Sequence, residues 1–265
     1  SLSRYFHIVK RECQQGLSDT AMTKDCHDYK MISYKVSVFL VLSGVYFLMV
    51  HGPSRWNDPP PETLATMVFK VLPMTSLISM VIYTKPEDEE HRKYKTMITL
   101  GLLFSLGGDI ALVWKSSFFK LGLLLFATAH VLYTASFQFR PAGLSSGLFS
   151  MMAASVVFMF FQPVIKEKLM QWLVALYVGL IFTMFWRAHV RWNKDPRWDN
   201  LCASLGAIVF IISDFLLGFN KWHYQIHLGS VYVMVSYYIA QLLIALSVTL
   251  YTHESPEDLR EKKRG

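Results

Sequence analysis

Residues 101–137 read GLLFSLGGDIALVWKSSFFKLGLLLFATAHVLYTASF, a strongly apolar run that contains an aspartate near its first third. Its hydrophobicity is typical of membrane-spanning helices, and an aspartate near the centre of such a helix costs roughly 2.5–3.5 kcal/mol on insertion scales. We therefore expect Asp109 to face a polar interior, a partner or a substrate. The rest of the chain is expected to form the surroundings that accommodate this residue.

The composition of the whole chain indicates a multi-pass membrane protein. Of its 265 residues, 53% are hydrophobic and 15% are aromatic, which is far more apolar than a soluble domain of this size. Apolar runs of roughly 20 residues, long enough to cross a bilayer as a helix, alternate with short charged loops. The apolar/polar alternation of a membrane β-barrel is absent, so the predicted fold is an all-α polytopic membrane helix bundle.

Eight transmembrane helices are predicted between residues 34 and 250, the expected catalytic domain. Their predicted ranges are 34–51, 64–84, 97–114, 119–138, 143–161, 169–187, 203–219 and 228–250. A polar arm, residues 1–33, precedes them, and a basic tail, residues 251–265, follows. With Lys35 counted with the arm, the arm, the tail and the loops on their side contain 19 of the 26 lysines and arginines, so both termini are expected to be cytosolic.

Charge and cysteine content narrow the classes of partner. The net charge of +7 is spread over the loops, which indicates anchoring at the membrane surface and no nucleic-acid partner. The three cysteines lack zinc-ligand spacing, and no HExxH, GxSxG or Walker-type motif is present, so no metal and no cofactor are predicted. Lys262 and Lys263 resemble a di-lysine signal for retrieval to the endoplasmic reticulum, although a basic tail or a trimmed end explains them equally well.

A weak internal similarity appears when the chain is shifted by 105 residues. The shift superimposes Gly101 on Gly206, Asp109 on Asp214, Leu112 on Leu217 and Tyr133 on Tyr238. Such a pattern fits a parallel repeat of two four-helix halves, and chance matches in apolar sequence are the alternative.

The two aspartates that this shift aligns are the candidate catalytic residues. Asp109 and Asp214 lie at comparable depths in their spans and can share one cavity. When two carboxyl groups meet in a low-dielectric cavity, one tends to keep its proton while the other ionises. This is the arrangement that general acid–base catalysis uses.

Several further polar residues lie in or at the ends of the spans. Lys70 is either a counter-ion of one aspartate or a lysine that snorkels to the interface, and Pro73 predicts an irregularity in its helix. The other candidates for binding or orienting a substrate are His130, Tyr133, Asn220, Lys221, Tyr237, Tyr238 and Gln241. Asn220 and Lys221 can instead cap the end of the seventh span, and each of the others can be an interhelical hydrogen bond and nothing more.

The runs SLGGDIALVW (105–114), FFKLGLLLFATAHVLYTASF (118–137) and LGAIVFIISDFLLGFNKWHYQIHLGSVYVMVSYYIAQLLIAL (205–246) resemble the lysoplasmalogenase family, the YhhN-like eight-span membrane proteins. The shared elements are the Gly-Asp of span three, the His-x-x-Tyr of span four, the Ser-Asp and Asn-Lys of span seven and the Tyr-Tyr-x-Ala-Gln of span eight. The resemblance extends from the second span to the eighth and leaves residues 1–33 uncovered.

The resemblance implies hydrolysis of the sn-1 vinyl-ether bond of lysoplasmalogens. The products would be a fatty aldehyde and glycerophosphoethanolamine or glycerophosphocholine, with Asp109 and Asp214 as the acid–base pair. The implied partners are the lysophospholipid substrate and membrane lipids. Two other classes fit buried acids as well: a proton- or cation-coupled transporter or lipid flippase, and a non-catalytic scaffold or receptor.

Overall fold

A computed structural model of the chain describes residues 20–52, 60–139 and 141–251, and only the backbone of residues 20–29. This part of the chain forms eight α-helices. They are α1 (Thr20–His51), α2 (Leu64–Ile82), α3 (Glu89–Ala111), α4 (Lys115–Ser136), α5 (Leu144–Phe161), α6 (Lys168–Lys194), α7 (Trp198–Trp222) and α8 (Gly229–Thr249). The helix α1 begins well before the predicted span at 34–51, and the rest of the predicted arm and nearly all of the tail lie outside the described residues.

Seven stretches of the described chain are long and apolar enough to cross a membrane, which makes the protein a multi-pass membrane protein with an all-α fold. They are Lys30–His51, Leu64–Ile82, Glu89–Ser136, Leu144–Val164, Lys168–Lys194, Trp198–Trp222 and Gly229–Thr249. The prediction of eight spans differs because the 48 residues of Glu89–Ser136 count once here, although they contain both α3 and α4. The eighth crossing and the cytosolic position of both termini stay predictions.

The helices α3 and α4 form an antiparallel hairpin. A 3₁₀ turn at Leu112–Trp114 joins them, and Phe118 has a non-helical backbone conformation just after the turn. Two glycines of α3 allow close packing: a Cβ on Gly101 would lie 2.3 Å from the Tyr133 ring, and a Cβ on Gly108 would lie 2.6 Å from the Phe126 ring. These two glycines thus allow the backbone that carries Asp109 to lie close to α4.

The helix α8 packs against four other helices, α1, α2, α3 and α7, most extensively against α7. Its buried residues include Tyr237, Tyr238 and Gln241, three polar side chains that need partners inside the bundle. The outer helix α5 has the opposite character, because Leu148, Met152 and most of its other large apolar side chains are exposed, as expected for a helix that faces lipid. Polar groups therefore concentrate around the inner faces of α2, α3, α7 and α8.

Candidate active site

A cavity of about 220 Å³ lies between α2, α3, α4, α7 and α8 and contains both predicted aspartates in its wall. Asp109 comes from the last turn of α3, and Asp214 from the middle of α7. The two carboxylates are near enough to interact electrostatically. Most of the remaining wall is apolar, so the charges act in surroundings of low dielectric.

Asp109 is a buried carboxylate with a cation beside it. The Nζ of Lys70 lies 3.1 Å from its Oδ1 and 3.2 Å from its backbone oxygen, and the Tyr237 hydroxyl donates a hydrogen bond of 2.6 Å to its Oδ2. The hydroxyl of Tyr238 donates to the backbone oxygen of Lys70 at 2.9 Å, which fastens α2 to α8 at the same level. Both oxygens of the Asp109 side chain thus have donors, as a buried ion pair requires.

Asp214 has a different set of neighbours. The Tyr177 hydroxyl donates to its Oδ2 at 2.5 Å, and the Nε2 of His130 lies 3.0 Å from the Tyr177 oxygen and 3.7 Å from Oδ2. Because Tyr177 gives its only proton to Asp214, its oxygen accepts from His130, which places the imidazole proton on Nε2. No lysine or arginine in the described ranges lies within 4 Å of the Asp214 carboxylate.

An aromatic wall separates the surroundings of the two aspartates. The Phe210 ring makes edge-to-face contacts with His130 on one side and with Tyr237 on the other, at centroid distances of 4.8 and 5.6 Å. Phe126 packs edge-on against both Phe210 and Tyr237. These rings pack against Tyr237, which holds Asp109, and against His130, which contacts Tyr177, and they lie between the two hydrogen-bond systems.

A second, narrower cavity of about 60 Å³ meets the first at Asp214 and runs between α4, α5, α6 and α7. Its wall is almost entirely apolar. The residues that line both cavities are Leu112, Phe119, Phe126, Asp214 and Leu217. Asp214 therefore lies where the main cavity meets an apolar branch. Its side chain is 17% exposed, whereas that of Asp109 is 2% exposed.

Polar groups gather at the end of the main cavity where α7 ends and α8 begins. Asn220 and Lys221 line it there together with Lys115, the first residue of α4. The Oδ1 of Asn220 accepts a hydrogen bond of 2.9 Å from the backbone of Ile226, so this side chain also shapes the loop before α8.

The comparisons with known proteins agree with this architecture. A family model described as the YhhN family matches residues 65–248, which include all of the residues that line the cavity except Tyr46 and Pro60. The chain belongs to the YhhN family. No solved structure matches it.

Similar YhhN relatives bear the name lysoplasmalogenase. Lysoplasmalogenase TMEM86A of Bos taurus is 35% identical over 233 residues, which are 86% of this chain and 94% of the relative. Lysoplasmalogenase TMEM86A of Homo sapiens is 36% identical over 80% of this chain and 88% of its own length. Lysoplasmalogenase TMEM86B of Sus scrofa is 31% identical over 81% of this chain.

The YhhN chain brings six of the ten sequence-predicted site residues to one cavity. They are Lys70, Asp109, Asp214, Asn220, Lys221 and Tyr237. His130 stands behind Asp214, with which it communicates through Tyr177.

The remaining three predicted residues of the YhhN chain point elsewhere. The Tyr133 hydroxyl donates to the Oε1 of Gln241 at 3.0 Å and lies 3.3 Å from Ser105, inside the packing of α3, α4 and α8. Tyr238 is engaged with the backbone of Lys70, as described above. These three side chains make interhelical hydrogen bonds and do not line the cavity.

Sequence reasoning missed two important residues of this YhhN site. Tyr177, whose hydroxyl donates to Asp214, lies in the apolar span 169–187 and resembles any buried tyrosine in the sequence. The one signal that the sequence offers is a hydroxyl group in the middle of a membrane span. Lys115 looked like a loop charge that marks topology, yet it lines the cavity. Among the described residues, no group of three or more His, Cys, Asp and Glu side chains is placed to hold a metal ion.

Proposed function

We propose that this protein is a lysoplasmalogenase, which hydrolyses the sn-1 vinyl-ether bond of lysoplasmalogens to a fatty aldehyde and glycerophosphoethanolamine or glycerophosphocholine. The observation that carries the proposal is the pair Asp109 and Asp214, which face one largely apolar cavity from unlike electrostatic surroundings. The names of the relatives supply the reaction class. A vinyl ether needs acid–base groups in an apolar slot and neither a covalent nucleophile nor a metal.

We assign the general acid to Asp214 and the carboxylate role to Asp109. Asp109 has Lys70 beside it, which favours the ionised form. Among the described residues, Asp214 has only the neutral donor Tyr177 at hydrogen-bond distance, and it borders the apolar branch that suits an alkenyl chain. Because Oδ2 of Asp214 accepts the Tyr177 proton, the transferable proton sits on Oδ1.

The reaction follows from these positions. Asp214 protonates the β-carbon of the vinyl ether, and the positive charge appears on the α-carbon and the ether oxygen as an oxocarbenium ion. The Asp109 carboxylate stabilises this cation and takes a proton from the attacking water. The resulting hemiacetal gives its hydroxyl proton to the Asp214 carboxylate while its bond to the glycerol oxygen breaks, and the glycerol oxygen takes the proton that Asp109 holds. The aldehyde is released, and both acids return to their starting protonation states.

The surrounding residues position the two acids. Tyr237 and Lys70 orient Asp109, while His130 and Tyr177 orient Asp214. We infer that Tyr133, Tyr238 and Gln241 act one step further away, by fixing the helices α2, α3, α4 and α8.

We further infer that α3 and α4 cross the membrane separately, which gives eight spans with both termini in the cytosol. Each helix has more than 20 residues, which is enough to cross a bilayer. The turn Leu112–Trp114 between them has no charged side chain, and Lys115 follows it directly. The endoplasmic reticulum is the expected compartment, on the strength of Lys262 and Lys263, which lie outside the described residues.

The test is aldehyde release from a purified sample that is given lysoplasmalogen or the matched ester lysolipid. We expect aldehyde from the vinyl ether only. In D₂O the aldehyde should carry one deuterium on the carbon next to the carbonyl, since that carbon receives the proton from Asp214. Asp109→Asn and Asp214→Asn should each lower the turnover number at least about 100-fold, a typical contribution of acid–base groups.

Glu167→Gln is the matched control, because Glu167 is an exposed acid that pairs with Lys120 away from the cavity. It should keep wild-type turnover. Wild-type turnover in either aspartate variant, with folding intact, would contradict the acid–base pair. Proton-coupled lipid flux in proteoliposomes without any aldehyde would replace the hydrolase by a transporter.

A further inference from the structure

Two lysines at one end of the main cavity lack a close ion-pair partner in the part of the chain that the structure describes. Lys115 begins α4 and Lys221 lies in the last turn of α7, and both line the cavity. In the described part of the chain, no carboxylate lies within 4 Å of either ammonium group. Lys115 is also within electrostatic range of Lys221 and Lys70, so like charges meet here.

The acids nearby compensate these charges only in part. Asp109 already pairs with Lys70. Glu62, the acid that interacts with Lys115 over a longer distance, accepts hydrogen bonds from the hydroxyl and the backbone N–H of Ser116, at 2.8 and 3.1 Å. These two bonds hold the pKa of the exposed Glu62 carboxyl below its usual range, because they stabilise its ionised form. Among the described residues, Glu62 thus sets one negative charge against the two lysines, so this end of the cavity keeps a surplus of positive charge.

We propose that Lys115 and Lys221 bind the phosphate group of the lysophospholipid substrate, so that the cavity recognises phosphate-bearing vinyl ethers over phosphate-free ones. This inference rests on the proposed function. A phosphate placed between two ammonium groups forms charge-assisted hydrogen bonds with both and relieves their mutual repulsion. The ring of Phe119, whose centroid lies 3.9 Å from the Nζ of Lys221, holds that ammonium group in place.

The spacing along α7 agrees with this arrangement. Lys221 follows Asp214 by seven positions, about two helical turns, so both project from one face and are separated by about 10 Å along the helix axis. In a lysoplasmalogen, seven bonds separate the vinyl β-carbon from the phosphorus atom. Three extended backbone bonds span 3.8 Å, so seven such bonds span about 9 Å. The β-carbon can thus reach Asp214 while the phosphate reaches Lys221.

The test compares two substrates that differ only in the head group: 1-alkenyl-glycerophosphoethanolamine and 1-alkenyl-glycerol. The variants are Lys115→Met, Lys221→Met and the double variant, and the readout is the ratio of kcat/KM for the phosphorylated over the phosphate-free substrate. We expect each single variant to lower this ratio roughly 10-fold and the double variant to lower it further, mainly through a higher KM. Inhibition of the wild type by glycerophosphoethanolamine should weaken in parallel.

Lys120→Met is the matched control, because Lys120 is a lysine of the same helix that pairs with Glu167 and does not line the cavity. Its ratio should equal that of the wild type. Inorganic phosphate at the same concentration serves as a second competitor; stronger inhibition by it than by glycerophosphoethanolamine would show a site for free phosphate and overturn the lipid assignment.

The outcomes separate this inference from the proposed function. An unchanged ratio in the double variant, with aldehyde still released by the wild type, would overturn the phosphate site and leave the proposed function standing. If the wild type released no aldehyde from either substrate, the proposed function would fail, and this inference would fail with it.

Discussion

At the scale of single residues, the cost of Asp109 in a membrane domain is offset by specific partners. Lys70 and Tyr237 supply donors to both of its oxygens, and Tyr238 holds the backbone of Lys70. Such a pair stabilises the fold only while both charges are present, since removal of one partner leaves an isolated buried charge. The pair is therefore a point where stability and function can be measured separately.

Lys70→Met should lower the free energy of unfolding by about 3–5 kcal/mol, because the Asp109 carboxylate loses its only cation within 4 Å among the described residues. The double variant Lys70→Met/Asp109→Asn should recover most of this loss, since no buried charge is left, while its aldehyde release stays abolished. The measurement is thermal or denaturant unfolding in detergent.

The exposed ion pair of Lys120 and Glu167 is the control for the variants of Lys70 and Asp109. Lys120→Met should change the free energy of unfolding by less than about 1 kcal/mol, as exposed ion pairs do. Equal losses in Lys70→Met and in the double variant would show that Lys70 and Asp109 do not depend on each other.

At the scale of the helices, the sequence predicts the elements well and their contacts poorly. The predicted ranges 64–84 and 143–161 each agree with α2 and α5 at one end and differ by two residues and one residue at the other, because the apolar runs and the charged loops mark these boundaries. The partners of a buried side chain depend on how helices far apart in sequence pack. Tyr177 and Asp214 are 37 positions apart, and no local pattern joins them.

The glycines of α3 show the same limit. Gly107 and Gly108 look alike in the sequence, yet the structure places only the second against a ring: a Cβ on Gly108 would lie 2.6 Å from Phe126, and one on Gly107 would lie 3.5 Å from Leu125. Phe126 itself is buried between Phe210 and Tyr237, so it cannot swing aside freely.

We therefore expect opposite effects from the same substitution at these two neighbours. Gly108→Ala should lower the free energy of unfolding by about 1–3 kcal/mol, the usual cost of overpacking, and should lower aldehyde release because Asp109 is the next residue. Gly107→Ala should leave stability equal or slightly higher, since alanine favours a helix over glycine by up to about 1 kcal/mol. Equal melting temperatures for the two variants would contradict this account of the hairpin.

At the scale of the whole molecule, the direction of the cavity depends on how the chain crosses the membrane. The lysine-rich end of the cavity, with Lys115 and Lys221, lies where α4 begins and α7 ends. If α3 and α4 cross separately, this end faces the side of the membrane opposite to both termini. The lysophospholipid head group would then sit in that leaflet, and the glycerophosphoryl product would leave on that side.

Single cysteines at exposed positions test this orientation in a chain whose own Cys13, Cys26 and Cys202 are replaced by serine or alanine. Lys85→Cys lies before α3, and Ser117→Cys follows the turn between α3 and α4. A membrane-impermeant thiol reagent should label Lys85→Cys from the cytosolic side of sealed vesicles and should label Ser117→Cys only after permeabilisation.

A second pair of cysteines, on either side of α6, tests the orientation of the whole molecule independently of whether α3 and α4 cross separately. Lys194→Cys at the end of α6 should label with Lys85→Cys, and Lys166→Cys before α6 should label with Ser117→Cys, because α6 crosses once between them and most positive charge lies on the cytosolic side. If Ser117→Cys were instead labelled from the same side as Lys85→Cys, the α3–α4 hairpin would enter and leave the membrane on one face without crossing it. Fewer than eight helices would then cross the membrane. The proposed position of the lysophospholipid head group, on the side opposite to both termini, would then be wrong.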